Sequence, residues 1–430
     1  LSLRARLARG VEPDALRLLG AAGRLAAQRG ARAFVVGGLV RDAWAGRDGA
    51  RGDLDVVVEG DGLGVARELA RAVSGTLVEH ERFLTASVTL PGVTGGVRRI
   101  DVATARTERY DRPGALPRVL PAGIEEDLRR RDFSVNAMAA ELASGAFELL
   151  DPLGGASDLR RRRLRVLHPL SFVEDPTRIV RAARYGVRLG LTPDAWTRRC
   201  QVLALGLGPY TALSGQRLLA EIERCLAEPR PASVLSRLGR GRALRLLDPR
   251  CRFTRGAARR LARLDATLDW ARARGVRAAP MELILVALLA DQRRAVAEAA
   301  LGRLALTGEP RARILRALDA APPSGATEAP SATARRLDRL VDLELAWRHL
   351  TGPPTERARV EWYAAAGRNA APALSGDDVI ALGVAAGPGV ARVLGALRAR
   401  RLDGAPAERA AETAFVRRWL DQPRDQEREG

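Results

Sequence analysis

The sequence has no lysine: all 71 of its basic residues are arginine. That absence excludes a Walker A phosphate loop, a kinase-type ATP lysine and every Schiff-base mechanism, since each needs a lysine amine. Histidine is almost as scarce. His80, His168 and His349 lie far apart, which argues against a His-rich metal site, and no HD-type phosphohydrolase motif occurs. Cys200, Cys225 and Cys251 are odd in number and lack CxxC spacing. Reduced thiols in a cytoplasmic protein are therefore expected, not a disulfide framework. Aromatic residues make up only 4% of the chain, which leaves few rings for base stacking. The longest apolar run, Met281 to Ala290, is too short to span a bilayer, so no membrane partner is expected. No signal-peptide pattern opens the chain, and leucine at position 1 is expected to reflect truncation or a start codon other than AUG.

What is present is core-forming residues and positive charge. With 430 residues, 47% of them hydrophobic, the chain is expected to be globular and to hold two to four domains. A net charge of +20 implies a polyanionic partner such as nucleic acid. GC-rich codon bias accounts for arginine in place of lysine, but not for the excess over 51 acids.

The stretch Phe34 to Val58, FVVGGLVRDAWAGRDGARGDLDVVV, carries the chemistry. An apolar run ends in Gly37-Gly38, an amphipathic segment opens at Leu39, and a turn-rich link (Gly46 to Gly52) leads to Asp53-Leu54-Asp55 and a second apolar run. That order predicts strand, glycine turn, helix, strand. Side chains alternate along a strand, so Asp53 and Asp55 share a face, roughly 6–7 Å apart, at the sheet edge. Two carboxylates so placed suit Mg²⁺, which takes a few carboxylate oxygens plus substrate phosphates. The paired glycines allow close backbone approach, the helix behind them offers free N–H groups to an anion, and Arg41 adds a guanidinium fork. Each piece alone has a plainer use, Asp-x-Asp in turns above all. Together they describe a site for a nucleoside triphosphate and its metals.

This order resembles the signature of the DNA polymerase beta-like nucleotidyltransferases, and GGLVRD followed by DLDVVV is similar to their class II CCA-adding branch. Asp101, in a later predicted strand, supplies a candidate third carboxylate, although a lone aspartate there also serves as a cap or turn residue. Thr107 to Glu125, with three prolines, reads as a long connection. After it, RRDFSVNAM resembles the family motif RRDFTINAMA, which implies that Arg131 and Asp132 face the ribose and triphosphate. Glu174-Asp175-Pro176-Thr177-Arg178 resembles the EDxxR element. Asp175-Pro176 also suits a helix cap, and arginines at 178, 181 and 184 also suit a solvated helix face. Cytosine and adenine each present an amine beside an unprotonated ring nitrogen. A carboxylate at 175 and a guanidinium at 178 match that edge and reject guanine and uracil. Arg181 and Arg184 are carried over as neighbouring nucleotide contacts.

The resemblance continues in SGQRLLAEIER from Ser214, similar to the family's neck helix, and in the Gly-Pro-Gly segment 374–404, which a tight turn between packed helices also explains. It implies an α+β fold: a polymerase beta-like nucleotidyltransferase head with a mixed sheet (1–150), then an all-helical neck (151–225), body (226–319), a linker or loop (320–334) and a tail (335–430) that grips tRNA. The implied reaction is template-independent transfer of CMP and/or AMP from CTP and ATP to the 3′ end of tRNA. Asp53 and Asp55 would hold two Mg²⁺ with Asp101 assisting, while Gly37, Gly38, Arg41 and Arg131 would take the triphosphate. CC-only, A-only and poly(A)-adding enzymes share these motifs, and a non-catalytic RNA-binding protein is the alternative from another class. A full-length loop at 107–125 favours addition of the terminal A, because CC-only members of the family shorten it.

Overall fold

The structure, a computed structural model, describes residues 3–47, 53–91, 97–143, 145, 147–320 and 328–421. The apolar runs read as strands do form them. Arg32–Val36 (β1) is buried from Ala33 onward, and Asp53–Glu59 (β2) alternates at its start, with Leu54 buried between the outward-facing Asp53 and Asp55 and Val56 to Val58 buried after them. Thr76–His80 (β3), Thr85–Thr89 (β4), Arg99–Thr104 (β5), Arg106–Arg109 (β6), Arg118–Pro121 (β7), Ala139–Glu141 (β8) and Leu149–Leu150 (β9) follow. Seven of these build one sheet in the order β3-β4-β5-β2-β1-β8-β9. The β2–β5 pair is parallel and every other pair in the sheet is antiparallel, so the sheet is mixed, as expected. One placement is corrected. β2 lies between β1 and β5, so its two aspartates sit at the end of a central strand and not on a sheet edge.

Leu3–Gly10 (α1), Pro13–Gln28 (α2), Gly38–Trp44 (α3), Gly62–Ala72 (α4) and Ile124–Arg129 (α5) pack around this sheet. One face is sealed by Leu19, Val65 and Leu69 of α2 and α4 against Leu54, Val56 and Ile100. Truncating any of these leucines to alanine should cost roughly 2–5 kcal/mol. On the other face Val57 packs with Ile124 and Leu128 of α5, while Asp53 and Asp55, on that same face, are exposed. The link at 48–52 lies outside the described residues.

Thr107 to Glu125 is not an irregular connection. β6 and β7 pair in a hairpin, Arg106↔Pro121 to Arg109↔Arg118. Pro113 and Pro117 fall in its tip, and Pro121 ends a strand of a two-stranded ladder, where a missing N–H is tolerated.

Gly155–Arg160 (α6), Ser171–Glu174 (α7), Thr177–Arg188 (α8), Ala195–Leu207 (α9), Gly215–Leu226 (α10) and Pro231–Arg240 (α11) continue the chain. A two-residue parallel ladder, Arg163–Leu164 with Thr192–Pro193, interrupts the expected all-helical neck. Two units result: Leu1–Arg252 with Gly302–Ala305, and Phe253–Leu301 with Leu306–Gly430. The second unit is helical among its described residues, and the apolar run inside Pro280–Leu289 is buried from Glu282 to Leu289. Helix Pro330–Leu337 takes up the end of the segment read as a linker, of which 321–327 lies outside the described residues. Further on, Gly376–Ala381 and Pro388–Leu402 are joined by a turn in which Gly383 and Gly387 have φ of +104° and +117°. No helix among the described residues is long and apolar enough to cross a membrane.

Candidate active site

The turn between β1 and α3 forms the first wall. Gly37 has φ +71°, and a Cβ there would stand 3.3 Å from Nη1 of Arg131, so this turn and that guanidinium are in close contact. Arg41, one turn into α3, is buried. Its Nε and Nη2 donate to the two oxygens of Asp42 at 2.8 Å each, and Nη1 donates to Asn136 Oδ1 at 2.6 Å. Its fork is therefore already engaged by a carboxylate.

The carboxylates come from β2 and β5. Their parallel register sets Asp55 beside Asp101 and Asp53 beside Arg99. Arg99 bonds Asp53 at 2.5 Å and lies 3.0 Å from Asp101, whose other oxygen accepts from Ser87 Oγ at 2.6 Å. Burial pushes the Asp55 carboxyl above the ordinary range; Asp101 and Asp53 add to the rise and Arg131 opposes it. Such crowding of negative charge favours a cation. The donor set is all carboxylate oxygen and suits a hard divalent ion. In this geometry Arg99 supplies the cation, and among the described residues no three His, Cys, Asp or Glu side chains close into a metal-holding group.

The second wall starts at α5. Asp127 is fully buried and accepts from Nε and Nη2 of Arg130 at 2.9 and 2.6 Å, and from Nε and Nη2 of Arg131 at 3.3 and 3.0 Å. One carboxylate thus orients two guanidiniums. Asp132 turns inward: its Oδ1 accepts from Phe133 N and Asn136 Nδ2, both at 2.9 Å, and its Oδ2 is 3.4 Å from Arg181.

Just before α8, Asp175 is engaged through both carboxylate oxygens. Its Oδ1 accepts from the backbone N–H and hydroxyl of Thr177 at 3.1 and 2.6 Å and from Arg217 at 3.1 Å, while the cap position of α8 falls on Pro176, not on Asp175. Its Oδ2 accepts from Arg181 alone, at 2.6 Å. Burial would raise this carboxyl, but Arg181 and the other donors outweigh it and hold it below the ordinary range. Arg178 is also buried, not solvated, and donates to Ser171 Oγ at 2.7 Å and the Arg130 carbonyl at 2.8 Å.

These walls enclose a cleft of about 530 Å³. Gly37, Gly38, Arg41, Asp53 and Asp55 line it, as do Arg131, Asp132, Asp175, Arg178 and Arg181. Two residues singled out from the sequence do not. Asp101, beside Asp55 on β5, is tied to Ser87, and Arg184 points to Glu221 and Glu228 at 3.6 Å each. The reason for Arg184 is helical geometry: six residues on from Arg178 is about 240° around the axis, whereas seven is nearly two full turns. The residue seven on is Tyr185, which does line the cleft. Its ring lies under Arg41 and Arg184, with centroid distances of 5.6 and 4.9 Å, and meets Phe133 edge-on.

Arg217 also lines the cleft and was not foreseen as a site residue, although it lies inside the quoted SGQR segment. Besides Asp175 it donates to the carbonyl of Gly114, at the tip of the β6–β7 hairpin, at 2.7 Å. Gly114 has φ +79° and a Cβ there would meet Leu213 at 3.0 Å, so glycine is what lets the tip seat against the segment just before α10.

The geometry can bind phosphate, hold a cation and present paired donors and acceptors to a base edge. Residues 33–165 match the model of the Poly A polymerase head domain. An A-adding tRNA nucleotidyltransferase of Aquifex aeolicus is 38% identical over 240 residues, which are 56% of this chain but only 28% of that protein. A solved CCA-adding enzyme in complex with ATP superposes with a TM-score of 0.81 at 27% identity, covering 98% of this chain and 99% of that one. A CC-adding tRNA nucleotidyltransferase of Deinococcus radiodurans is 38% identical over 391 residues, 90% of this chain and 89% of that protein. With the same head, the same fold and a relative matched almost end to end, the chain belongs to the tRNA nucleotidyltransferase family.

Proposed function

We propose that this chain extends the 3′ end of tRNA, transferring CMP, AMP or both from CTP and ATP without a template and releasing pyrophosphate. One observation carries the reading: Asp53 and Asp55 line the same cleft as the Gly37-Gly38 turn, Arg131, Asp175 and Arg178. Asp53 and Asp55 would hold two Mg²⁺ ions, with Asp101 beside them. Such ions lower the pKa of an attacking hydroxyl and neutralise a leaving pyrophosphate. Backbone N–H groups at Gly37 and Gly38 and the guanidinium of Arg131 take phosphate oxygens.

Base choice falls to Asp175 and Arg178. Oδ1 of Asp175 already accepts from three donors, whereas Oδ2 accepts from one, so Oδ2 has the lone pair for the exocyclic amine of cytosine or adenine. Arg178 spends two of its five N–H groups on Ser171 and Arg130 and keeps the others for an unprotonated ring nitrogen. Guanine or uracil would leave these groups mismatched, at roughly 1–3 kcal/mol each. Arg181 bridges Asp132 and Asp175, and Arg184 braces α8 through Glu221 and Glu228, so both act by positioning. The Gly-turn helices near 376–402 grip the tRNA backbone, and the compartment is that of the tRNA, the cytoplasm.

A second reading, transfer of CMP only, is favoured by the D. radiodurans relative, which is the CC-adding one. The proposal is tested with D53A and D55A separately, using labelled CTP and ATP and tRNA with an incomplete 3′ end. Each variant should lose transfer by about three orders of magnitude while keeping tRNA affinity; retention of more than about a tenth would remove the pair from the reaction.

A further inference from the structure

Beyond Arg41 and Arg188 lies a second cavity, of about 630 Å³, and Arg41, Asp42 and Arg188 line both it and the cleft. Its charge is of another kind. Among the described residues, the cleft sets seven arginines against six acids, whereas this cavity sets seven arginines against Asp42 alone. Across the chain the ratio is 71 basic residues to 51 acidic ones, so codon bias does not produce this local excess. Asp42 itself is spent, both its oxygens being held by Arg41. Among the described residues, Arg47 donates to neutral carbonyls only, those of Arg188 and Leu189, at 3.2 Å each. The side chains of Arg160, Arg162 and Arg230 are exposed and make no hydrogen bond or ion pair with any described residue. Like charges gathered in a concave site repel one another, and what relieves that repulsion is a polyanion whose oxygens accept from several forks at once.

We propose that this cavity is a second phosphate-binding site, separate from the nucleotide cleft and reached across Arg41 and Arg188. It rests on the function proposed above, because its phosphate is supplied either by the backbone of the bound RNA or by the pyrophosphate that the reaction releases. The two sources share their chemistry and differ in what the cavity does: it anchors the substrate strand or it takes up the product.

The test is the triple variant R160A/R162A/R230A, with R160K/R162K/R230K as the control that keeps charge. Pyrophosphate binding is measured by calorimetry, and tRNA affinity is measured as a function of salt. If the source is product, pyrophosphate affinity of the alanine variant falls about tenfold or more and tRNA affinity holds. If the source is RNA, tRNA affinity falls, and the slope of log K against log salt shrinks by about 2, as expected for two or three lost phosphate contacts. In either case the lysine variant recovers most of the loss. Affinities for both ligands within twofold of wild type overturn the proposal. Neither binding measurement needs turnover, so a chain that transferred no nucleotide would refute the function without deciding this site.

Discussion

Replacing Asp127 by asparagine tests how the cleft is held. Asp127 is fully buried, and its two oxygens take four hydrogen bonds from the guanidiniums of Arg130 and Arg131 and one from the Arg106 N–H. Removing one partner of a buried ion pair costs roughly 3–5 kcal/mol, because the other charge is left uncompensated. Arg130 keeps Glu108 at 2.7 Å, and both arginines retain some solvent, which places D127N at the lower end, about 3 kcal/mol. For a unit of this size that corresponds to a fall in Tm of about 6–12 °C. Arg131 would also lose its anchor beside Gly37, so KM for CTP and ATP should rise while tRNA affinity holds.

The pH dependence has a defined sign. Burial alone would raise the Asp127 carboxyl, but Arg131 and Arg130 outweigh it and hold it below the ordinary carboxylate range. A carboxyl with a depressed native pKa contributes stability that is complete above its unfolded value, about 4, and is lost as pH falls through the native one. The Tm gap between wild type and D127N should therefore be constant from neutrality to about pH 5 and close below about pH 4. A Tm loss under about 2 °C at neutral pH, with unchanged nucleotide KM, would refute the view that this carboxylate holds the cleft.

Exchanging the polarity of the proposed base-reading pair, D175R with R178D, should weaken use of CTP and ATP relative to UTP and GTP in incorporation assays; unchanged preference would leave Asp175 a structural residue that holds Thr177, Arg181 and Arg217. Replacing 110–117 with a Gly-Ser bridge removes the tip that Arg217 holds through Gly114. AMP addition to tRNA ending in CC should collapse and CMP addition survive, whereas equal loss of both, or of neither, would detach the hairpin from the choice of last nucleotide.

The head was readable where one strand carried its own pattern. Period-two alternation around Leu54 and Val56 put Asp53 and Asp55 on one face, and the Gly-Gly turn announced α3. What escaped depended on contacts distant in sequence. Arg99 reaches Asp53 through the β2–β5 register, 46 residues away, and Arg217 reaches Asp175 across 42. The β6–β7 hairpin was hidden by its prolines, and β8 and β9 by their brevity and ordinary composition. Arg184 rested on the family resemblance and does not line the cleft, whereas counting seven from Arg178 finds Tyr185 there.

The most direct measurement uses three tRNA transcripts, lacking the whole CCA end, lacking CA, or lacking only A, each incubated with single labelled nucleotides and Mg²⁺. Extension with CTP, ATP or both, ending at a fixed length and ignoring GTP and UTP, is the predicted result. No extension of any transcript, or an open-ended tail on RNA without a tRNA fold, would contradict it.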